Sequence, residues 1–511
     1  MSATPLLRLA VLAALGGTAA ACAHAPAPQP AAPAPAPAPA RQAADTAPAD
    51  TTASTDSERV RPPELGPPPT LALPPITTRR LANGLELVVV EQHELPVADF
   101  ILLVHTGGEA DPAGRGGLAS LTAAMLDEGT ATRSALQVAD QEAYLGIELG
   151  TGSGWDGSQV VLHTTTAQLD SALALFADVA LHPSFPRADF IRVRRERLTD
   201  LIQLKDRGPA IADRAFTAIV YGPHHPYGHP LSGTEASVHA IGRADVRRFY
   251  ETYYRPNNAT MIIVGDITPG DAERRVAALF GQWSRRPVPA TTYGAPPHGT
   301  PTTLYLIDKP DAAQSSIRIG GVGVPRSTSD YFPIEVMNTI LGGSFTSRLN
   351  QNLRETHGYT YGAFSGFAMR REAGPFVARA EVVAAKTDSA LVEFMKELRA
   401  IHDTVPGGEL EKAKRYLELQ LPGEFESTGD IAQQLVPVVL YDLPLDFYDR
   451  YVQHIDAVTR ADVARVANRY IDPTRLTVVI VGDTSTIEGK LRATGIAPLS
   501  IRDIEGDVVR P

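Results

Sequence analysis

The sequence predicts an α+β fold of two tandem homologous domains, each a largely antiparallel sheet with helices packed on it. Three observations carry that expectation. The first is an internal repeat. "RADVRRFYETYYRPNNATMIIVGD" starts at Arg243 and "RADVARVANRYIDPTRLTVVIVGD" at Arg460, an offset of 460 − 243 = 217 that holds without a gap through Tyr253 and Tyr470, Pro256 and Pro473, and Asp266 and Asp483. A repeat of this kind means one structural unit used twice. The second is the periodicity inside each copy. Val246, Phe249 and Tyr253 recur at helical spacing, as do Val463, Val466 and Tyr470; a proline turn follows, then a strand ending in Val-Gly-Asp. The third is "RRLANGLELVVVEQ", where Asn83-Gly84 is a hairpin signal ahead of a strand-like run. Strands mixed with helices and joined in part by hairpins favour α+β.

The elements follow in chain order. Residues 1–21 carry one early charge, Arg8, then the apolar run "LAVLAALGG" and the small residues "TAAA" before Cys22. That pattern reads as a secretion signal, and its apolar run is shorter than the roughly 20 residues of a transmembrane helix. Small residues running into a cysteine resemble a bacterial lipoprotein signal, which makes Cys22 the expected lipidated first residue; ordinary secretion with a free cysteine is the competing reading. Cys22 is the only cysteine of 511 residues, which excludes an internal disulfide and any cysteine-based metal site. Residues 22–76 are rich in alanine and proline, which alternate in the stretch after Cys22; such a segment cannot bury a core and reads as an extended tether. Residues 77–286 form the first domain. The proline- and glycine-rich "PVPATTYGAPPHGTP" of 287–301 is the linker, 302–490 the second domain opening on the strand "TTLYLID", and 491–511 a tail. A net charge of −11 argues against nucleic acid as the partner and is otherwise what a soluble surface carries.

Two further stretches bear on chemistry. "GGLASLTAAMLDEGT", from Gly116, is small, apolar and helical, with Leu118, Leu121, Met125 and Leu126 as its stripe and Gly129-Thr130 as its stop. "LGGSFTSRLNQNLRETHGYTYG", from Leu341, predicts a helix with Phe345, Leu349 and Leu353 on one face, a break at Gly358, and a strand "YTYGAFSGFAM". Taken with the "NGLELVVV" opening, "HPYGHPLSGTEASV" and both Val-Gly-Asp strands, these stretches resemble the pitrilysin or insulinase-type (M16) zinc peptidases over residues 77–490.

The resemblance implies a site in which an inverted H-x-x-E-H helix holds zinc and activates water. Aligned on Gly117, Ala119, Gly129 and Thr130, those three chemical positions fall on Ser120, Ala123 and Ala124, which offer no adequate ligand. The family's later E-x6-E pattern aligns on Glu196 and Gln203, so the third ligand is a glutamine. The family's arginine and tyrosine, seven residues apart, match Arg354 and Tyr361. A guanidinium can donate to substrate carbonyls, and a tyrosine hydroxyl to the oxyanion that forms as water attacks. A surface arginine and a packed strand aromatic are the plain alternatives. Gly342, Gly343 and Ser344 resemble the glycine-rich substrate loop of non-catalytic subunits, or form only a tight turn.

The expectation is therefore a lipid-anchored, catalytically incomplete subunit in the bacterial envelope, on the outer membrane and facing the periplasm. It holds no metal or other cofactor itself. It pairs with a zinc-bearing H-x-x-E-H subunit, binds unfolded or extended peptide partly by strand addition, and contributes Arg354 and Tyr361 in trans. The alternative is a peptide-binding or scaffold protein without proteolysis. A third reading, an independent site at His224, His225 and His229, meets a turn-rich loop (Pro226, Gly228, Pro230) without a carboxylate base. His105 and Glu109 read as surface residues of a strand and turn.

Overall fold

A computed structural model describes residues 73–296, 299–504 and 508–510; Cys22, the signal and the tether up to residue 72 lie outside the described residues. Two sheets organise the body. The first contains β1 (Ile76–Arg80), β2 (Glu86–Glu91), β3 (Val97–Val104), β4 (Glu148–Ser153), β5 (Ser158–Thr165) and β6 (Ala259–Gly265), in the order β1-β2-β6-β3-β5-β4. The second contains β7 (Thr303–Asp308), β8 (Gln314–Val322), β9 (Thr360–Phe367), β10 (Pro375–Val383), β11 (Thr477–Gly482), β12 (Leu499–Arg502) and β13 (Val508–Arg510), in the order β13-β12-β7-β11-β8-β10-β9. Pairing is antiparallel except for β2 with β6, and for β7 with β11 and β12. The repeat offset reaches beyond the stretch that revealed it: β2 and β7 start 303 − 86 = 217 residues apart, and β3 and β8 start 314 − 97 = 217 apart.

The opening hairpin shows how sequence sets the local geometry. Gly84 has φ +98°, a conformation L side chains rarely adopt. The Asn83 side chain donates to the carbonyls of Phe280 (2.8 Å) and Trp283 (3.2 Å), tying the turn to the helix Pro269–Phe280. On one face of the first sheet, Phe100 and Leu102 meet Phe176 of the helix Leu169–Leu181 and Val246 and Phe249 of the helix Arg243–Tyr253.

The opposite face of each sheet is covered by a helix from the other half. Ile431, Ala432, Leu435 and Val436 of the helix Thr428–Leu440 pack on Val88, Val90, Ile101, Leu103, Ile262 and Val264 of the first sheet. In return Ile211, Ala212, Ala215 and Phe216 of the helix Gly208–Tyr221 pack on Ile307, Val479 and Val481 of the second. Each sheet is thus buried on both faces only when both halves are folded. Asp156 adds a polar tie, accepting from the Tyr227 hydroxyl (2.6 Å), the Arg371 backbone (2.7 Å) and the Tyr441 hydroxyl (3.0 Å). Each of its partners satisfies a carboxylate that would be expensive to bury alone.

Candidate functional site

The helix Leu118–Ala123 starts at Gly117, whose φ is +94° and whose absent Cβ would lie 2.8 Å from the Ser232 carbonyl. Asp111 takes the place of a cap, accepting from the backbone of Gly117 (2.6 Å) and Ala119 (2.7 Å); burial pushes its carboxyl up to about 7. Leu118, Leu121, Met125 and Leu126 are buried in the first core, so the apolar stripe is a packing face. Ser120 and Ala123 are buried beside it. The Ser120 hydroxyl lies 2.9 Å from the Leu231 carbonyl and 3.1 Å from that of Gly117, and accepts from Arg197 Nη1 at 2.9 Å. Arg197 Nη1 also donates to the Ser232 carbonyl at 3.2 Å.

Arg197 was not foreseen. The expected positions, Glu196 and Gln203, both face away: Glu196 pairs with Arg192 at 3.1 Å on the outer face, and Gln203 is exposed. The helix Arg187–Leu204 turns Phe190, Val193 and Leu201 into the protein, and the same stripe passes through residue 197. Arg197, and neither Glu196 nor Gln203, therefore faces the opening helix. Charged residues on every face of "RVRRERLTD" hid it, although the apolar spacing of 190, 193 and 201 was a usable signal.

These residues do not fit zinc. Alanine offers no donor atom, the serine hydroxyl is neutral and already hydrogen-bonded, and a guanidinium occupies the third side. Burial lowers the Arg197 pKa from its ordinary value, but the group stays cationic, as arginine does in proteins. Among the described residues no group of three or more His, Cys, Asp or Glu side chains is placed to hold a metal.

The histidine loop packs. His225 Nδ1 accepts from the Tyr227 backbone (3.0 Å), and its ring lies 4.9 Å from that of Tyr221, while His229 lies 5.5 Å from Trp155. His224 is exposed. His105 and Glu109 are not surface residues. Burial lowers His105 to about 4 as it bonds Thr260 Oγ1 at 2.9 Å. Burial, with Asp156 nearby, raises Glu109 to about 8, and its carboxyl accepts from the Gly107 backbone at 2.7 Å.

In the second half, the expected helix shrinks to Arg348–Asn350, between two wide π-helical turns, Thr339–Gly343 ahead of Phe345 and Gln351–Thr356 after Asn350. Leu349 and Leu353 are buried, but Phe345 precedes the helix, is 54% exposed, and lies over the Arg354 guanidinium at 4.2 Å. The nearest carboxylate to Arg354 is Glu355, at 3.4 Å. Gly358, at φ +62°, turns the chain into β9, the sheet edge. There Tyr361 and Gly362 together oppose the single residue Glu381, while Ala363 pairs with Ala380 and Thr360 with Val382. A bulge of this kind re-aims a side chain, and Tyr361 is 90% exposed. Gly342 packs on the same strand: a Cβ there would lie 2.4 Å from the Ser365 nitrogen. Ser344 is buried and donates to the Thr339 carbonyl at 3.2 Å, leaving Gly343 the exposed member of the three. Among the described residues no hydrogen bond or ion pair joins Arg354 or Tyr361 to Ser120 or Arg197.

Comparison with known proteins matches this arrangement to one family. The family model described as insulinase (peptidase family M16) matches residues 87–234, and that described as peptidase M16 inactive domain matches residues 240–417. An uncharacterized zinc protease of Mycobacterium tuberculosis is 29% identical over 311 residues, 60% of this chain and 70% of its own length. One of Rickettsia bellii is 21% identical over 410 residues, 78% and 96% of the two chains. The crystal structure of a peptidase M16 inactive domain from Pseudomonas fluorescens superposes with a TM-score of 0.75 at 28% identity, covering 80% of this chain and 98% of that one. A protease from Helicobacter pylori shares the fold, with a TM-score of 0.75 at 21% identity over 80% of this chain and 100% of its own. The chain belongs to the M16, or insulinase, peptidase family.

Proposed function

We propose that this chain is a catalytically incomplete M16 subunit that binds extended peptide and completes the active chamber of a zinc-bearing partner. The carrying observation is the contrast between the two constellations. Ser120, Ala123, Ala124 and Arg197 stand where a metal site would be and cannot build one. Arg354 and Tyr361 stand on a turn and a bulged edge strand, with Tyr361 projecting into solvent. On this reading the partner's zinc supplies the activated water. The Tyr361 hydroxyl donates to the oxyanion of the attacked peptide bond, and Arg354 orients the peptide through its carbonyls. On this reading an extended peptide adds partly along a sheet edge; at β9 the Ala363 N–H already donates to Asn350 Oδ1 (3.1 Å) and the Ser365 carbonyl accepts from Asn338 Nδ2 (3.1 Å), so contact there falls to the exposed Tyr361 side chain. The signal-like residues 1–21 and Cys22 support a lipid anchor in the bacterial envelope, on the outer membrane facing the periplasm.

Affinity capture of the chain from its native envelope, followed by mass spectrometry, tests the reading. A stoichiometric companion carrying H-x-x-E-H is the expected result. Self-association alone, or an unrelated companion, would favour a peptide-binding or scaffold protein without proteolysis. For the anchor, labelling with a radioactive fatty acid should be lost in Cys22→Ser.

A further inference from the structure

The residue at the centre of the eroded metal site is a cation with donors to spare. A guanidinium carries five N–H donors. Both acceptors of Arg197, Ser120 Oγ and the Ser232 carbonyl, are neutral and both use Nη1. Among the described residues no carboxylate forms an ion pair with it; the acidic group acting on it is Asp200, on the next turn of its own helix. Neither Nε nor Nη2 is among the buried nitrogens that lack a partner, so these donors keep access to solvent. The residue of the opening helix that meets Arg197, Ser120, carries a short side chain. A positive charge held only by neutral groups, with an unused edge of its fork, is a receptor for an anion.

We infer that Arg197 makes the former metal site a carboxylate-binding site for the peptide ligand. The anion is a peptide carboxylate, either the chain's C-terminus or an Asp or Glu side chain, taken by the free Nε and Nη2 edge. This rests on the peptide-binding reading above and extends it: a position built in its relatives to polarise a peptide bond here anchors a charged group. Because Nη1 is held by the Ser120 and Ser232 oxygens, the fork is fixed before ligand arrives, and little side-chain freedom is lost on binding.

The test is titration calorimetry of the purified chain with one unstructured ten-residue peptide in three forms: a free C-terminal acid without Asp or Glu, its C-terminal amide, and the amide with one internal Asp. The free acid should bind about tenfold or more tightly than the plain amide, the expected scale for a hydrogen bond to a charged group. That ratio should fall to about one in Arg197→Gln and to an intermediate value in Arg197→Lys, which keeps the charge but loses the fork. If the Asp-containing amide binds like the acid, the site accepts side-chain carboxylates; if it binds like the plain amide, the site reads the C-terminus. Equal binding of acid and plain amide by the wild type would overturn the inference and leave peptide binding standing, as would a preference for the acid that survives in Arg197→Gln. Binding of none of the three forms would overturn the peptide-binding reading itself, and this inference with it. A melting curve for each variant shows that it is folded.

Discussion

The opening helix of the first half and the Phe345–Tyr361 segment of the second are two regions of the same molecule under opposite constraints. In the first, Ala123 is fully buried and Ser120 nearly so, its hydroxyl taken by the Leu231 and Gly117 carbonyls and Arg197, while the apolar side chains of the helix answer to the core behind them. In the second, Tyr361 is 90% exposed on a bulged strand, and Phe345, in the turn ahead of the helix Arg348–Asn350, is 54% exposed. Packing explains the residues of the helix without any chemistry. It does not explain Tyr361, since an aromatic so exposed adds nothing to the core. The comparison separates a scaffold kept for its shape from a surface equipped for contact.

The sharpest way to break that comparison is to remove one atom from its exposed side. Tyr361→Phe should lower turnover of the assembled peptidase about 10²–10³-fold, the scale of losing one oxyanion donor, with no shift in melting temperature because the side chain is solvated. Steady-state kinetics beside a thermal melt reads both; unchanged turnover would place Tyr361 outside the chemistry. Next in size is Leu435→Ala. Leu435 is almost wholly buried on the exchanged helix, against the first sheet, and its truncation should cost about 2–5 kcal/mol. Because each sheet needs the other half's helix, urea unfolding should remain a single transition. Two separate transitions would mean that the halves fold independently. A third effect concerns Glu109, whose folded-state carboxyl burial raises from its ordinary value near 4.5 to about 8. A raised carboxyl leaves the folded state holding the proton after the unfolded chain has lost it, so this group's contribution to stability falls as pH rises from about 4.5 to 8. Glu109→Gln should flatten that fall, seen as a smaller difference between urea midpoints at pH 5 and pH 8. A variant with the wild-type slope would show that Glu109 is ionised in the folded protein.

The legible and illegible parts of the sequence divide along physical lines. The offset of 217 and the Asn83-Gly84 turn are local or repeated signals, and both recur in the strands as expected. The exchange of the helices Gly208–Tyr221 and Thr428–Leu440 was not legible, because periodicity shows that a helix has an apolar face but not which sheet receives it. Arg197 was missed because a carboxylate pattern guided the alignment where the apolar stripe would have served better. Phe345 failed for the converse reason: it sits at helical spacing from Leu349, but the wide turns around it break the period. Glu109 and His105 looked like turn residues and are instead walled in by distant chain, through Asp156 and Thr260.

The central claim, that this half of the protease carries contacts and its companion the metal, is tested most directly by zinc content and peptide hydrolysis of the purified chain, alone and recombined with the companion it captures. The account predicts no stoichiometric zinc and no turnover for the chain alone, and metal-dependent turnover on recombination that exceeds the companion's own. Tight zinc and metal-dependent hydrolysis by the chain alone would contradict it.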